Sequence, residues 1–157
     1  MRLHFELLLM GALLLVTGSL PGCSGPAGFP PSKIEKLTGA APMYVVPAEG
    51  TVTIDGELDS GVFVTLCDLD DSPSENCAPS FTNALGRFTF STYRIGDGVP
   101  PGEYKVTFEW CKIKRGNKSG ADRLKGRYSD PAKSTIRLNV EPDAPQRALL
   151  YELTTAD

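Results

Sequence analysis

The side chains best able to do chemistry in this chain are carboxylates and thiols, because its 157 residues include a single histidine, His4. That histidine falls in an apolar leader that is expected to be removed. Without imidazole the mature chain has no Ser–His or Cys–His nucleophile pair, no histidine-ligated catalytic zinc, and no general base with an ordinary pKa near neutrality. We therefore predict no catalytic residues and no cofactor. An enzyme that works with carboxylates alone is the remaining alternative.

The densest group of carboxylates lies within residues 67–77, between two cysteines. Its acidic members are Asp68, Asp70, Asp71 and Glu75. Oxygen ligands of this kind suit a hard cation such as calcium. The spacing is not that of an EF-hand loop, however, because no glycine stands at the required turn and no acid follows at the right distance. A solvated acidic hairpin tip is therefore favoured, with calcium as the weaker alternative.

Residues 1–22 have the pattern of an export signal: Arg2 precedes an apolar run of about 10 residues, which is short for a membrane span but suits a signal sequence. Residues 20–23, Leu-Pro-Gly-Cys, resemble the lipobox of bacterial lipoproteins, in which the cysteine is acylated and becomes the new N-terminus. The resemblance implies lipidation of Cys23, and two or three acyl chains anchor a protein stably. Ser24 implies, by the same resemblance, delivery to the outer membrane or cell surface. Ordinary secretion with Cys23 as a free thiol is the alternative.

An exported chain tends to pair its remaining thiols in an oxidising compartment. Cys67 and Cys77 flank the acidic segment like the base of a hairpin, and a bond between them would stabilise by about 2–3 kcal/mol in the chain-entropy model. A bond between Cys67 and Cys111 is the rival, because strand alternation lets both side chains point outward. We predict the 67–77 disulfide, which leaves Cys111 buried or available to bridge two chains.

Glycine, proline and serine are frequent in residues 24–32, which is typical of an extended tether. The predicted organisation is therefore a signal peptide at 1–22, a lipidated cysteine and tether at 23–42, and one folded domain at 43–157. The tether is expected to lift the domain off the membrane.

From about Gly39 onward, apolar side chains alternate with polar ones and no helical period is evident. Residues 51–54 and 62–66 predict two strands that form a first hairpin around the Asp55-Gly56 turn. Residues 87–90 place two phenylalanines on one face. Residues 104–110 form the longest stripe and predict a central strand, and 136–140 and 149–153 add two more. About seven short strands at this spacing predict an all-β sandwich.

Three segments place glycines and prolines where hairpin turns need them: 50–56 (GTVTIDG), 86–93 (GRFTFSTY) and 96–107 (GDGVPPGEYKVT). Together with 122–134 (DRLKGRYSDPAKS), they resemble the transthyretin-like or carboxypeptidase regulatory-like lipoproteins of bacteria over most of residues 45–141. The resemblance implies a prealbumin-like, seven-stranded Greek-key sandwich. It implies little about function, because one fold hosts many activities. The segments 67–77 and 142–147 depart from the family pattern.

A formal net charge of -3 argues against a nucleic-acid partner, since phosphate binding needs a basic excess. The basic side chains between residues 112 and 127 are Lys112, Lys114, Arg115, Lys118, Arg123, Lys125 and Arg127. They could meet anionic glycans or lipid head groups, but no aromatic residue is interleaved to stack on sugars, so a solvated loop is favoured. Trp110 continues an apolar stripe and is predicted to lie in the core.

These observations predict a non-catalytic, exported lipoprotein, anchored to the envelope membrane through its N-terminal lipid. Its monomeric sandwich would serve adhesion, envelope organisation or interaction with an envelope protein or glycan. The alternative is a carbohydrate- or calcium-binding module that uses the acidic 68–75 segment or the basic 112–127 region. The sequence assigns no ligand-binding residue beyond these candidates.

Overall fold

The computed structural model describes residues 30–69, 77–114 and 118–156. Within them lie one helix and ten strands: α1 Pro31–Thr38, β1 Ala48–Ile54, β2 Glu57–Leu58, β3 Val62–Asp68, β4 Cys77–Phe81, β5 Arg87–Thr89, β6 Gly102–Trp110, β7 Ile113–Lys114, β8 Lys118–Ser119, β9 Arg137–Val140 and β10 Gln146–Leu153. In this part of the chain no helix is both long and apolar enough to cross a bilayer.

Most strands belong to two four-stranded sheets. In the first, β1 is central: β10 runs parallel along one side, and β5 and β2 run antiparallel along the other. The second has the order β4-β3-β6-β9 and is antiparallel throughout. β7 and β8 form a separate two-stranded ribbon. The prediction of an all-β protein is confirmed at this level.

The inner faces of both sheets supply one apolar core. β6 contributes its longest stripe, in which Val106 and Phe108 are almost fully buried. β5 contributes Phe88, and Phe90 follows directly after this strand; their rings meet edge to face at 5.3 Å, while Arg87 on the same strand is exposed. This period-two alternation is the one predicted from the sequence, and β6 is central in its sheet as predicted.

The predicted first hairpin is wrong. Asp55 and Gly56 do turn the chain, both with positive φ, but the returning strand is the short β2, whose Leu58 pairs with Thr53. The chain then crosses to the other sheet, where β3 pairs with β4 and β6. Alternation could not reveal this crossing, because strands on either side of a sandwich bury one face against the same core.

The described part of the predicted tether, residues 23–42, is not extended throughout, since Pro31–Thr38 forms α1. Pro31 stands at the start of the helix, where a missing backbone N–H is not needed. Gly39 ends the helix with φ 75° and donates its N–H to the Glu35 carbonyl. Ile34 is only 8% exposed, so one face of the helix is covered. A helix of eight residues is too short to show a clear apolar period.

The two ends of the sandwich differ in what they carry. At one end, which we call the tether end, Val46 bridges to Val99, Asp68 pairs with Tyr104 and Cys67 with Cys77. α1 precedes β1 in the chain and therefore leads into this end. At the far end, Val62 pairs with Trp110, and β1 and β10 finish. The nine residues of β6 separate the two ends by about 30 Å.

Replacing Phe108 with alanine removes a ring that is 1% exposed. We expect the free energy of unfolding to fall by about 3–5 kcal/mol, from lost burial plus the cavity left behind. Phe81 is 65% exposed, so Phe81→Ala is the matched control and should change stability by about 0.5 kcal/mol or less. Urea unfolding of both variants checks this, and equal losses would place the core elsewhere.

Candidate functional site

The candidate site is a cleft of about 790 Å³ at the tether end of the sandwich. It is lined by Met43, Asp68, Leu69, Cys77, Ala78, Thr92, Val99, Pro100, Pro101, Gly102, Glu103 and Tyr104. These residues come from the end of β3, the start of β4, the start of β6 with the loop before it, and the segment between α1 and β1. The cleft therefore lies where the acidic segment joins the sandwich, which is one of the two regions that the sequence singled out.

Tyr104 fixes the loop that forms one wall of the cleft. It lies on the inner stripe of β6, and its hydroxyl donates to the Pro100 carbonyl at 2.7 Å. Burial raises the pKa of the Tyr104 hydroxyl, and the nearby Asp68 carboxylate adds to this. The hydroxyl thus stays protonated and keeps this bond through the physiological range.

A disulfide closes the strand pair beside the cleft. Cys67 and Cys77 are directly opposite each other in the β3–β4 register, with their Cα atoms 4.3 Å apart, and they are bonded. The favoured 67–77 pairing is confirmed. It fixes the point at which the acidic segment leaves β3 and returns to β4.

The rival pairing of Cys67 with Cys111 is not formed. Cys111 follows Trp110, which pairs with Val62, five residues along β3 from Cys67 and so about 17 Å away. Cys111 is a free, buried thiol. Burial raises its pKa, as do the neighbouring carboxylates of Glu109 and Asp122. The thiol is therefore protonated and poorly reactive.

Of the four acidic candidates for calcium, the structure describes Asp68 alone. It is exposed at the end of β3 and borders the cleft together with Glu103, which the sequence analysis did not single out. Asp70, Asp71, Glu75 and the lipidation candidate Cys23 lie outside the described residues. Within residues 30–69, 77–114 and 118–156, no three His, Cys, Asp or Glu side chains are grouped to hold a metal. Calcium binding stays a prediction.

Two basic side chains at the far end, Arg123 and Arg127, make structural contacts, whereas Arg115 and the side chains of Lys114 and Lys118 lie outside the described part of the chain. The guanidinium of Arg123 lies 3.3 Å from the centre of the Trp110 ring, and Arg123 also forms an ion pair with Asp59 at 3.9 Å. Arg127 donates to the carbonyls of Thr154 and Ala156 in the C-terminal segment. Trp110 itself is 7% exposed, which confirms its place in the core. These two arginines therefore stabilise the far end by joining its loops and the C-terminal segment to the sandwich.

Asp55 also binds the C-terminal segment, through hydrogen bonds to its carboxylate. Its carboxylate accepts hydrogen bonds from the Thr155 N–H and from the hydroxyls of Thr154 and Thr155. Hydrogen bonds from Thr155 first, and then from Thr154, lower the pKa of Asp55. Sequence reasoning assigned Asp55 only to a turn, because partners 99 and 100 residues away leave no local signal.

The comparisons with known proteins add little to this geometry. No protein-family model and no curated protein matches the chain. Among solved structures, the dioxygenase domain of a dioxygenase and carbohydrate-binding protein fusion from Streptomyces sp. SirexAA-E is 17% identical, covering 72% of this chain and 80% of that one, with a TM-score of 0.34. A likeness this weak carries no argument about fold or activity.

The disulfide assignment predicts a simple peptide map. Trypsin leaves Cys67 and Cys77 in one peptide, residues 37–87, and Cys111 in another, residues 106–112. After unfolding and alkylation without reduction, the alkyl group should appear on Cys111 but not on Cys67 or Cys77, and the mass of the 37–87 peptide should be lower by the two hydrogens lost in the bond. In the folded protein Cys111 should stay unmodified, because its thiol is buried and its pKa is raised. A cross-linked pair of these peptides would contradict the assignment.

Proposed function

We propose that this chain is a non-catalytic lipoprotein that holds a transthyretin-like β-sandwich at the cell-envelope membrane for adhesion or for interaction with an envelope protein or glycan. The finer topology belongs to this proposal: a prealbumin-like, seven-stranded Greek key with β2, β7 and β8 as short additions to it. Two facing four-stranded sheets around a single core are consistent with such a fold.

One observation carries the anchoring part of the proposal. Cys23, in its lipobox-like context, stands only eight residues before Pro31, at which α1 begins. A lipid on Cys23 would therefore hold the tether end close to the bilayer. It would leave the far end, about 30 Å away along β6, as the part presented to a partner.

The far end offers mixed chemistry to that partner. Leu58 and Leu85 are half exposed there, near the Arg123 guanidinium and the Asp59 carboxylate, which form only a long, exposed ion pair. Small apolar areas among exposed charges are typical of transient protein interfaces. We therefore place the envelope partner at the far end.

Removing the thiol of Cys23 tests the anchor. In a bacterial host the full chain should fractionate with membranes and incorporate labelled palmitate, whereas Cys23→Ala should lose the label and leave the membrane fraction. Cys111→Ala is the matched control, because it removes a buried thiol without touching the lipobox, and it should keep the label. Palmitate on Cys23→Ala, or none on the unsubstituted chain, would contradict the proposal.

A second candidate function is ligand binding at the cleft beside Asp68. The specific observation in its favour is the volume, about 790 Å³, which falls in the range of small-molecule sites. Glu103 supplies a second exposed carboxylate at the rim, and Pro100 and Pro101 give one wall a fixed shape. A calcium ion or an oligosaccharide is the ligand class that this setting suits.

Titration of the full chain with calcium, and separately with a panel of neutral and acidic oligosaccharides, tests this second candidate. A ligand at 100 times its Kd would stabilise the fold by about 2.7 kcal/mol, which corresponds to a rise in melting temperature of about 10 °C for a domain of this size. Glu103→Gln should abolish the rise, and Glu57→Gln at the far end should keep it. An unchanged melting temperature with every ligand would reject the cleft as their site.

A further inference from the structure

An exposed apolar surface surrounds the point where the chain enters the domain. Its four members are Leu37, Met43, Tyr44 and Ile95, which are 69%, 61%, 58% and 99% exposed. We call this set the tether-end platform. Single exposed apolar side chains are ordinary on a protein surface, but a group of them around one point marks an interaction surface.

The elements that carry the platform are neighbours. A hollow between them is lined by residues of α1 and the segment before it, by residues 42–45, and by Tyr93, Arg94 and Asp97 of the loop that carries Ile95. The Met43 N–H donates to the Tyr93 hydroxyl at 2.9 Å. The elements that carry the platform therefore lie together at the tether end.

Hydrogen bonds within the loop that carries Ile95 fix its conformation. The Asp97 carboxylate accepts hydrogen bonds from the backbone N–H groups of Thr92, Tyr93 and Arg94, at 2.7–2.9 Å. The Gly96 N–H donates to the Ser91 hydroxyl. Ile95 is thus projected into solvent by a fixed turn, which keeps an isoleucine where a polar residue would be better solvated.

Charge around the platform is mixed: the Asp97 carboxylate lines the hollow, and the exposed Asp143 carboxylate accepts a hydrogen bond from the Tyr44 hydroxyl. Lys33 and Lys36 are exposed on α1, and Arg94 is exposed next to Ile95; Glu35 is the acidic side chain on the helix. The carboxylates of Asp68 and Glu103 border the cleft instead. Met43 lines both the cleft and the hollow beside α1, so the two lie next to each other.

The length of chain between Cys23 and the domain identifies what covers the platform. A free tether over residues 23–42 could extend about 65 Å, enough to hold the domain well clear of a membrane. With α1 folded against the domain, only six residues remain between Cys23 and Pro30, and the chain from Cys23 to Pro30 reaches at most about 25 Å. A bilayer interface accepts projecting apolar side chains, and the exposed lysines of α1 can meet its anionic head groups.

We propose that the tether-end platform lies on the lipid bilayer that holds the acyl chains of Cys23, with Ile95 and Leu37 at the depth of the head groups. This inference rests on the proposed lipidation. It assigns the sandwich an orientation in which β6 starts near the membrane and runs away from it, so that the far end is directed outward.

Spin labels on the full lipidated chain, in vesicles of phosphatidylethanolamine and phosphatidylglycerol, test the orientation. Ile95→Cys and Leu37→Cys report on the platform, and Leu85→Cys is the matched control, 57% exposed at the far end. The unsubstituted chain measures any background from Cys111. The ratio of accessibility to oxygen over accessibility to a water-soluble nickel chelate should be several times higher at residues 95 and 37 than at residue 85.

The outcomes separate the two proposals. If the labelled chain floats with the vesicles but the three positions give equal ratios, the platform proposal is overturned and the anchor stands. If the unsubstituted chain does not float, the lipid anchor is wrong and the platform proposal falls with it. A ratio that is high at residue 85 and low at residue 95 would reverse the orientation and also overturn the proposal.

Discussion

The structure depends on the contact between the inner stripe of β6 and the first sheet. Phe108 on β6 meets the ring of Tyr151 on β10 edge to face at 5.1 Å, and Tyr151 stacks on Phe88 of β5 at 6.0 Å. This aromatic series joins the two sheets across the core. Burial raises the pKa of Tyr151 to about 12, in keeping with a ring held out of water. Burying large rings is the dominant favourable contribution in a domain of this size.

β6, which makes this contact, also reaches both ends of the molecule. At the tether end, β6 begins beside the cleft, and the Tyr104 hydroxyl holds Pro100 in place. At the far end, β6 finishes at Trp110, whose backbone N–H is capped by the Asp122 carboxylate and whose ring lies under Arg123. The proposed membrane-facing and partner-facing surfaces are therefore opposite ends of one rigid strand. If the domain moves relative to the membrane, both surfaces move together.

Much of this fold was predictable because strand alternation is a local signal. Phe88, Phe108 and Leu138 alternate with polar neighbours, and each is buried in the structure as predicted. The Cys67–Cys77 disulfide was also predictable, since two cysteines at the base of an acidic hairpin have few other partners. The sheet in which a strand lies was not predictable, because β1 and β3 bury the same kind of face against the same core.

The features that depend on distant contacts escaped the sequence. α1 is too short to show a period, and its stability comes from the domain that covers Ile34. The cleft arises because Val46 bridges to Val99 and brings Met43 near the start of β6. Asp55 gave no sign of its role, since its partners Thr154 and Thr155 lie far along the chain, and Glu103 gave none because the cleft that it borders is formed by separate segments. The acidic segment was recognised by composition alone, and Asp68 is the only acidic candidate in the described part of the chain.

The central claim is that α1 is docked on the domain and so shortens the tether. An isolated helix of eight residues is unstable in water, so protection of its amides reports docking directly. The decisive measurement is hydrogen exchange at the Gly39 amide, which donates to the Glu35 carbonyl at 2.8 Å. We predict exchange well below the rate of an unstructured peptide, and exchange at the unstructured rate would show that α1 is not docked.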